Sequence, residues 1–171
     1  MIERTLVIIK PDSIERHLED KIIKYYTDAG LKIAKKKTVS VSEKLIEKHY
    51  PDSMAFGLGE KSKKAGTKLN SDKEIFEMGK KVLQWLRKYL MSGPVVAVIL
   101  EGDDAIQRVR KITGYTDPSV ADKGTIRGDL GNDSILRANG EGRPVRNLIH
   151  ASGTPEEAEQ EIKLWFPELK A

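Results

Sequence analysis

Apolar positions along the chain alternate between two periods, and the switches between them predict the order of elements. Leu6-Val7-Ile8-Ile9 is an unbroken apolar run that stops at Lys10-Pro11-Asp12, which reads as a buried strand carrying a lysine to its end. With Asp12 or Ser13 as N-cap, Ile14, Leu18, Ile22, Ile23 and Tyr26 recur at helical spacing until Gly30. Leu31, Ile33, Val39 and Val41 suggest a second strand with a basic middle, followed by a Ser42-capped helix through Leu45, Ile46 and Tyr50. From Asp52 to about Asn70, glycine, lysine and serine dominate and a loop is expected. A longer helix then fits Ile75, Met78, Val82, Leu83, Leu86 and Leu90, closed by Gly93-Pro94. Val95 to Leu100 is apolar throughout, as in a strand covered on both faces.

Ala105, Ile106, Val109 and Ile112 place a further helix between a capping Asp103 or Asp104 and Gly114. Residues 115 to 144 lack periodicity and read as long loops, a feature that usually accompanies function. A short strand at about Val145 to Ile149 precedes a well-marked helix: Thr154 as N-cap, Pro155 in the first turn, Glu157 completing a capping box, and Ala158, Ile162, Trp165 and Phe166 as the buried stripe. This order, in one domain spanning 1–171, predicts an α+β fold. Its core is ferredoxin-like βαββαβ with a four-stranded antiparallel sheet, helices inserted mid-chain and a helix appended at the C-terminus.

Composition narrows the function classes. The chain has 171 residues, 39% of them hydrophobic, enough for one proper core. A net charge of +4 favours anionic partners without choosing among nucleotide, nucleic acid and acidic lipid. The runs Lys35-Lys36-Lys37 and Lys61 to Lys68 read as solvated surface. The absence of cysteine excludes disulfides and thiolate metal sites, and no apolar run is long enough to span a membrane, so a soluble cytoplasmic protein is expected.

Phosphate-loop and dinucleotide motifs are missing: Gly57-Leu58-Gly59 and Gly140-Glu141-Gly142 lack the third glycine and the flanking strand. Three well-separated histidines show no zinc spacing. The informative segment is Arg146 to Thr154, where His150 ends a strand just before a helix N-terminus and small residues follow it. Taken alone, such a histidine is either structural or catalytic.

The wider pattern decides between these. Glu3 to Asp12 (ERTLVIIKPD), His49-Tyr50, Ser92 to Val96 (SGPVV), Gly114 to Pro118 (GYTDP), Gly124 to Asp129 (GTIRGD), Asn147 to Ser152 (NLIHAS) and the tail Ala158 to Phe166 together resemble the nucleoside diphosphate kinase family, in the family's order and over nearly the whole chain. The resemblance implies terminal phosphate transfer from a nucleoside triphosphate to a nucleoside diphosphate, through a phosphoryl group on the δ nitrogen of His150. It implies that Lys10, Tyr50, Arg110, Thr116, Arg127 and Asn147 surround phosphates and ribose, that Ser152 and Glu161 support the histidine, that Mg²⁺ travels on the nucleotide phosphates with no protein-ligated metal, and that the loop around Pro118 helps build a homo-oligomer, hexamer or tetramer. Leu83 falls where relatives place an aromatic residue against the base; Phe56 or Phe76 are alternatives. Broad base tolerance follows, and no nucleic acid or membrane is required.

Elementary chemistry supports these roles. Transferring a γ-phosphoryl group demands that several negative charges be held and balanced, and Lys10, Arg110 and Arg127 supply fixed cations. Imidazole keeps a nucleophilic lone pair near neutral pH, and Glu161, beside the buried stripe of the last helix, can point toward it. His17 and His49 are left as surface or packing residues. Two regions, near 53–81 and 131–145, look like insertions. The rival classes are a nucleic-acid-binding module, which would want aromatics on the central strands where none occur, and a nucleotide-sensing domain without a nucleophile.

Overall fold

The computed structural model describes residues 1–169. Four strands form one antiparallel sheet in the order β2-β3-β1-β4: β1 (Ile2–Ile9), β2 (Lys32–Val39), β3 (Val95–Asp103) and β4 (Ile149–Ala151). The expected α+β architecture is therefore present. Central β1 and β3 are covered on both faces, which explains their unbroken apolar runs. Val7, Ile9, Val96, Val98 and Leu100 face one layer, built on Ile22 and Tyr26 of α2 (Glu19–Asp28) and Val109 of α6 (Ala105–Thr113). Leu6, Ile8, Val95, Ala97 and Ile99 face the other, built on Ile46 of α3 (Glu43–His49), Leu83, Leu86 and Leu90 of α5 (Asp72–Met91), and Trp165 of α9 (Pro155–Trp165). Each such side chain, fully buried, contributes about 1.5–3 kcal/mol.

The lysines of edge strand β2 discourage pairing with another chain. Lys35 and Lys37 each reach Glu168 at 3.2 Å, and Lys36 reaches Glu19 at 3.1 Å. That basic run is solvated surface, as expected.

Local structure departs from expectation in five places. The first helix is broken into α1 (Pro11–Glu15) and α2 by His17, which takes a φ of 56°. Asp12 and Ser13 do not cap it. Both side chains instead grip the backbone of Leu148, Asp12 Oδ2 accepting its N–H at 3.0 Å and Ser13 Oγ donating to its carbonyl at 2.7 Å. Neither Asp103 nor Asp104 caps α6 through its side chain; the Ile106 N–H donates to Glu3 of β1 at 3.3 Å. Residues 115 to 144 hold two short helices, α7 (Ile126–Leu130) and α8 (Ile135–Gly140). Finally, β4 covers Ile149–Ala151 rather than about Val145–Ile149, because Leu148 turns left-handed at φ 74° and keeps the preceding residues out of the ladder.

The expected loop after Asp52 is mostly helix: a short turn, Asp52–Met54, runs into α4 (Ala55–Lys64). Its glycines mark helix–helix contact, since a Cβ on Gly59 would lie 1.8 Å from the Ile75 carbonyl oxygen, and one on Gly79 of α5 would lie 1.6 Å from that of Ala55. Backbones this close leave no room for a side chain. A Gly79→Ala substitution is therefore expected to force α4 and α5 apart at a cost of about 1–3 kcal/mol, lowering the melting temperature by several degrees. An unchanged calorimetric melting temperature would show that the contact tolerates a methyl group.

Candidate active site

His150 occupies the middle of β4, opposite Ile8 of β1, and its ring opens into a cleft of about 280 Å³. Nε2 lies 2.9 and 3.0 Å from the two carboxylate oxygens of Glu161 on α9. A carboxylate only accepts, so Nε2 carries the proton. Nδ1 is left with its lone pair and without a protein partner among the described residues. Ser152 Oγ donates to the same carboxylate at 2.5 Å. Burial pushes the Glu161 carboxyl up, but the His150 ring, His49 and the Ser152 hydroxyl outweigh it and hold Glu161 below the usual carboxylate range. The carboxylate thus stays charged and fixes the ring's orientation.

Beneath His150 lies His49, its ring centroid 4.6 Å away and nearly perpendicular. Trp165 Nε1 donates to His49 Nδ1 at 3.1 Å. Burial first, then the neighbouring His150 ring, lower the His49 pKa to about 3, so it remains neutral. Of the two readings given to His49, packing is the one observed. His17 is exposed.

Opposite the imidazole stand the cations. Lys10, the residue after β1, is 4% exposed and donates from Nζ to Asn147 Oδ1 at 2.8 Å. Burial first, then the Arg127 charge, lower its pKa to about 7 against the opposing pull of Asp12. Arg127 of α7 donates to the carbonyls of Asn147 and Gly114 at 3.1 Å and of Ile149 at 2.5 Å, and thereby clamps the backbone on both sides of Leu148. Its pKa is pushed down to about 10, chiefly by burial. Arg110 of α6 lies exposed at the rim, its Nη1 3.5 Å from the Ala151 carbonyl. Asn147 completes the network by donating to the Thr116 carbonyl at 3.0 Å.

Lys10, Tyr50, Arg110, Thr116, Arg127, Asn147 and His150 all line this one cleft, with Glu161 and Ser152 directly behind His150. Leu83 does not. It is 3% exposed within the core, and the helical turn points Val82 and Leu86 into the cleft instead. The leucine that the resemblance set against the base is thus a core residue that does not line the cleft. Phe56 and Phe76 also lie outside, both partly exposed on the outer surface.

The structure adds residues that no motif marked: Met54, just before α4, and Leu58, Lys61 and Ser62 on α4 also line the cleft. Their spacing is helical, but Gly57 and Gly59 among them signal a loop when only sequence is read. His49, His150 and Glu161 bring three ligand-type atoms within 4.8 Å. This mixed nitrogen and oxygen set, already knitted by hydrogen bonds, is the wrong chemistry for Mg²⁺, which takes hard oxygen ligands. Glu157 is the one carboxylate lining the cleft among the described residues, and its Oε2 already accepts the Gly153 N–H at 2.8 Å.

A four-stranded α+β sheet whose edge strand β4 delivers an oriented imidazole to a cleft lined by cations without carboxylate partners among the described residues defines a protein built to handle phosphorylated ligands. Comparison with known proteins agrees: the nucleoside diphosphate kinase family profile matches residues 3–56 and 72–171. A nucleoside diphosphate kinase of Pyrobaculum aerophilum is 43% identical, over 98% of this chain and 96% of its own, and one of Methanosphaera stadtmanae is 39% identical, over 99% and 90%. The crystal structure of an NDP kinase from P. aerophilum superposes with a TM-score of 0.88 over 97% of this chain and 96% of that one. A Borrelia burgdorferi nucleoside-diphosphate kinase, solved as a transition state mimic with bound vanadate and ADP, is 33% identical, covers 96% of this chain and 87% of its own, and gives a TM-score of 0.79. The chain belongs to the nucleoside diphosphate kinase family and is an enzyme that transfers phosphate between nucleotides. The profile leaves out 57–71, which falls within the first region that looked inserted, and runs through the second.

The lowered pKa of Lys10 has a measurable consequence. Above pH 7 the free protein holds Lys10 largely uncharged, whereas an anionic phosphate beside it favours the cation, so binding takes up a proton. ADP affinity should fall as pH rises from 7 to 9, and calorimetry in buffers of different ionisation enthalpy at pH 8 should show proton uptake that Lys10→Met removes. Identical heats in all buffers would contradict this coupling.

Proposed function

We propose that the protein moves the terminal phosphate from a nucleoside triphosphate to a nucleoside diphosphate in two half-reactions, through a phosphohistidine on Nδ1 of His150. The observation that carries this reading is the pairing of Nε2 with Glu161, which leaves Nδ1 as the available nucleophile among Lys10, Arg110 and Arg127. The Nδ1 lone pair attacks the γ-phosphorus, an N–P bond forms, and the bond to the bridging oxygen breaks, its electron pair leaving with the diphosphate. The ring gains positive charge, and the Glu161 carboxylate, held by Ser152, balances it while the Nε2 proton stays in place. A second diphosphate then attacks the phosphohistidine by the reverse path. Fixed cations act on the charge that develops on the transferring group, each worth on the order of 3 kcal/mol. The Borrelia relative, solved as a transition state mimic with bound vanadate and ADP, supports the same path here.

Mg²⁺ supplies further charge neutralisation, and we assign it to the nucleotide's own phosphate oxygens, since the cleft offers no carboxylate set for it. Met54, Leu58, Val82 and Leu86 form an apolar wall for the base. None carries a group that reads base edges, which supports broad base tolerance, with kcat/KM for purine and pyrimidine substrates within about ten-fold. The described residues act as one domain in this reading. No described helix is long and apolar enough to cross a membrane, and the reading places the enzyme in the cytoplasm. Exposed Tyr115 and Val120, flanking Pro118, are the surface through which we infer a homo-oligomer.

Incubation with γ-labelled ATP and Mg²⁺ should leave acid-labile, base-stable label on the protein, discharged by GDP. His150→Ala should take up none, and Glu161→Gln should take it up roughly a hundred-fold more slowly. Label on the alanine variant would refute the assigned nucleophile.

A further inference from the structure

Lys61 stands apart from the other lysines of its run. It projects from the α4 face that also carries Leu58 and Ser62, and it lines both the cleft and the adjoining hollow of about 850 Å³, where Arg110 and Thr116 also border both spaces. It is solvent-accessible there, yet the surrounding protein first, and then the Arg110 and Arg127 charges, lower its pKa. Lys10 in turn senses its charge. Among the described residues no lysine of the run 61–68 reaches a carboxylate within 4.0 Å, but of these Lys61 alone borders both spaces. A fourth cation crowded against three others, with no partner, is unfavourable until a polyanion enters.

The ordinary account of Lys61, Lys63 and Lys64 is that basic residues in a last helical turn complement the helix dipole. That explains their charge but not the direction of Lys61, because Lys63 serves the dipole equally and lines neither space. The helix is also held in place: Gly59 and Gly79 set it against α5, and Asn139 of α8 donates to Thr67 just beyond its end at 3.1 Å.

We propose that Lys61, on the segment 57–71 that the family profile omits, binds the phosphate chain of the nucleotide at the mouth of the cleft beside Arg110. This rests on the phosphotransfer reading above and adds a substrate-binding residue to it. The inserted helix thereby supplies charge to the site as well as an apolar wall.

Full-length wild type, Lys61→Gln, Lys61→Arg and Lys63→Gln should be compared by ADP binding calorimetry at low and high KCl and by steady-state kinetics. For Lys61→Gln we expect the ADP Kd and the KM values to rise roughly ten-fold with kcat little changed, and the salt dependence of binding to flatten. Arginine should restore most of the affinity, and Lys63→Gln should match wild type. If Lys61→Gln binds ADP as Lys63→Gln does, at both salt concentrations, the proposal is wrong. Wild type that binds ADP but takes no phosphoryl label would instead defeat the phosphohistidine reading, while a weakened Lys61→Gln would still support the contact.

Discussion

Two cations, Lys10 and Arg127, are buried with no carboxylate partner among the described residues, and the arrangement around them follows from that cost. Their donors are satisfied by neutral acceptors alone: the Asn147 side-chain oxygen for Lys10, and three backbone carbonyls for Arg127. Neutral acceptors meet the directional demand of N–H groups while leaving the charge uncompensated. A carboxylate in the same position would stabilise the empty protein and compete with every phosphate that arrived. The surface pairs on β2, by contrast, are each worth at most about 1 kcal/mol. Stability and affinity are thus drawn from different parts of the molecule, paired charge at the sheet edge and unpaired charge in the cleft.

The same groups fix the backbone that carries His150. Leu148 is left-handed, an uncommon conformation for a side chain of its size, and is pinned by Asp12, Ser13 and the Lys10 N–H from the β1 side and straddled by Arg127 from α7. The strand is only three residues long because this turn must precede it. On the other side, His150, Glu161 and Ser152 form one hydrogen-bonded set, with His49 and Trp165 packed below the ring. The final helix therefore serves two purposes. Its apolar stripe closes one layer of the core, and the turn between Ala158 and Trp165 carries the carboxylate that selects the histidine tautomer.

Much of this was legible in sequence where a residue type has few other uses. The apolar runs 6–9 and 95–100 announce central strands, Thr154-Pro155 with Glu157 announces a helix start, and Lys10, Arg127, Asn147 and His150 follow from the family resemblance. What stayed hidden depends on three-dimensional proximity. Gly57 and Gly59 look alike as letters, but Gly57 has nothing within 4 Å and Gly59 touches a backbone carbonyl. Only the second reflects packing, and it is what turns an apparent loop into a helix. Leu83 was misplaced for a related reason: one helical residue is a rotation of about 100°, so an alignment shifted by one exchanges a core leucine for a cleft-lining valine. Asp12 and Ser13 resemble N-caps locally and act across the sheet on Leu148 instead.

The inserted helix α4 shows how an added segment becomes part of a site. A loop of the same length would supply a lysine whose position varies, and each freely moving rotamer-rich side chain costs roughly 0.5–1.5 kcal/mol to immobilise on binding. Packing Gly59 and Gly79 into the α4–α5 contact removes that variability from the backbone, leaving only the side chain of Lys61 to be ordered. Met54 and Leu58 line the cleft together with Val82 and Leu86 of α5, so its apolar lining draws on the segments on both sides of the α4–α5 contact. In the proposed reading these aliphatic side chains would exclude water from a base without demanding a particular ring, added apolar area offsetting the stacking that an aromatic would give. Charge toward one end of α4 and apolar surface toward the other are complementary to a nucleotide lying with its phosphate chain toward Lys61, the orientation that the proposed contact requires.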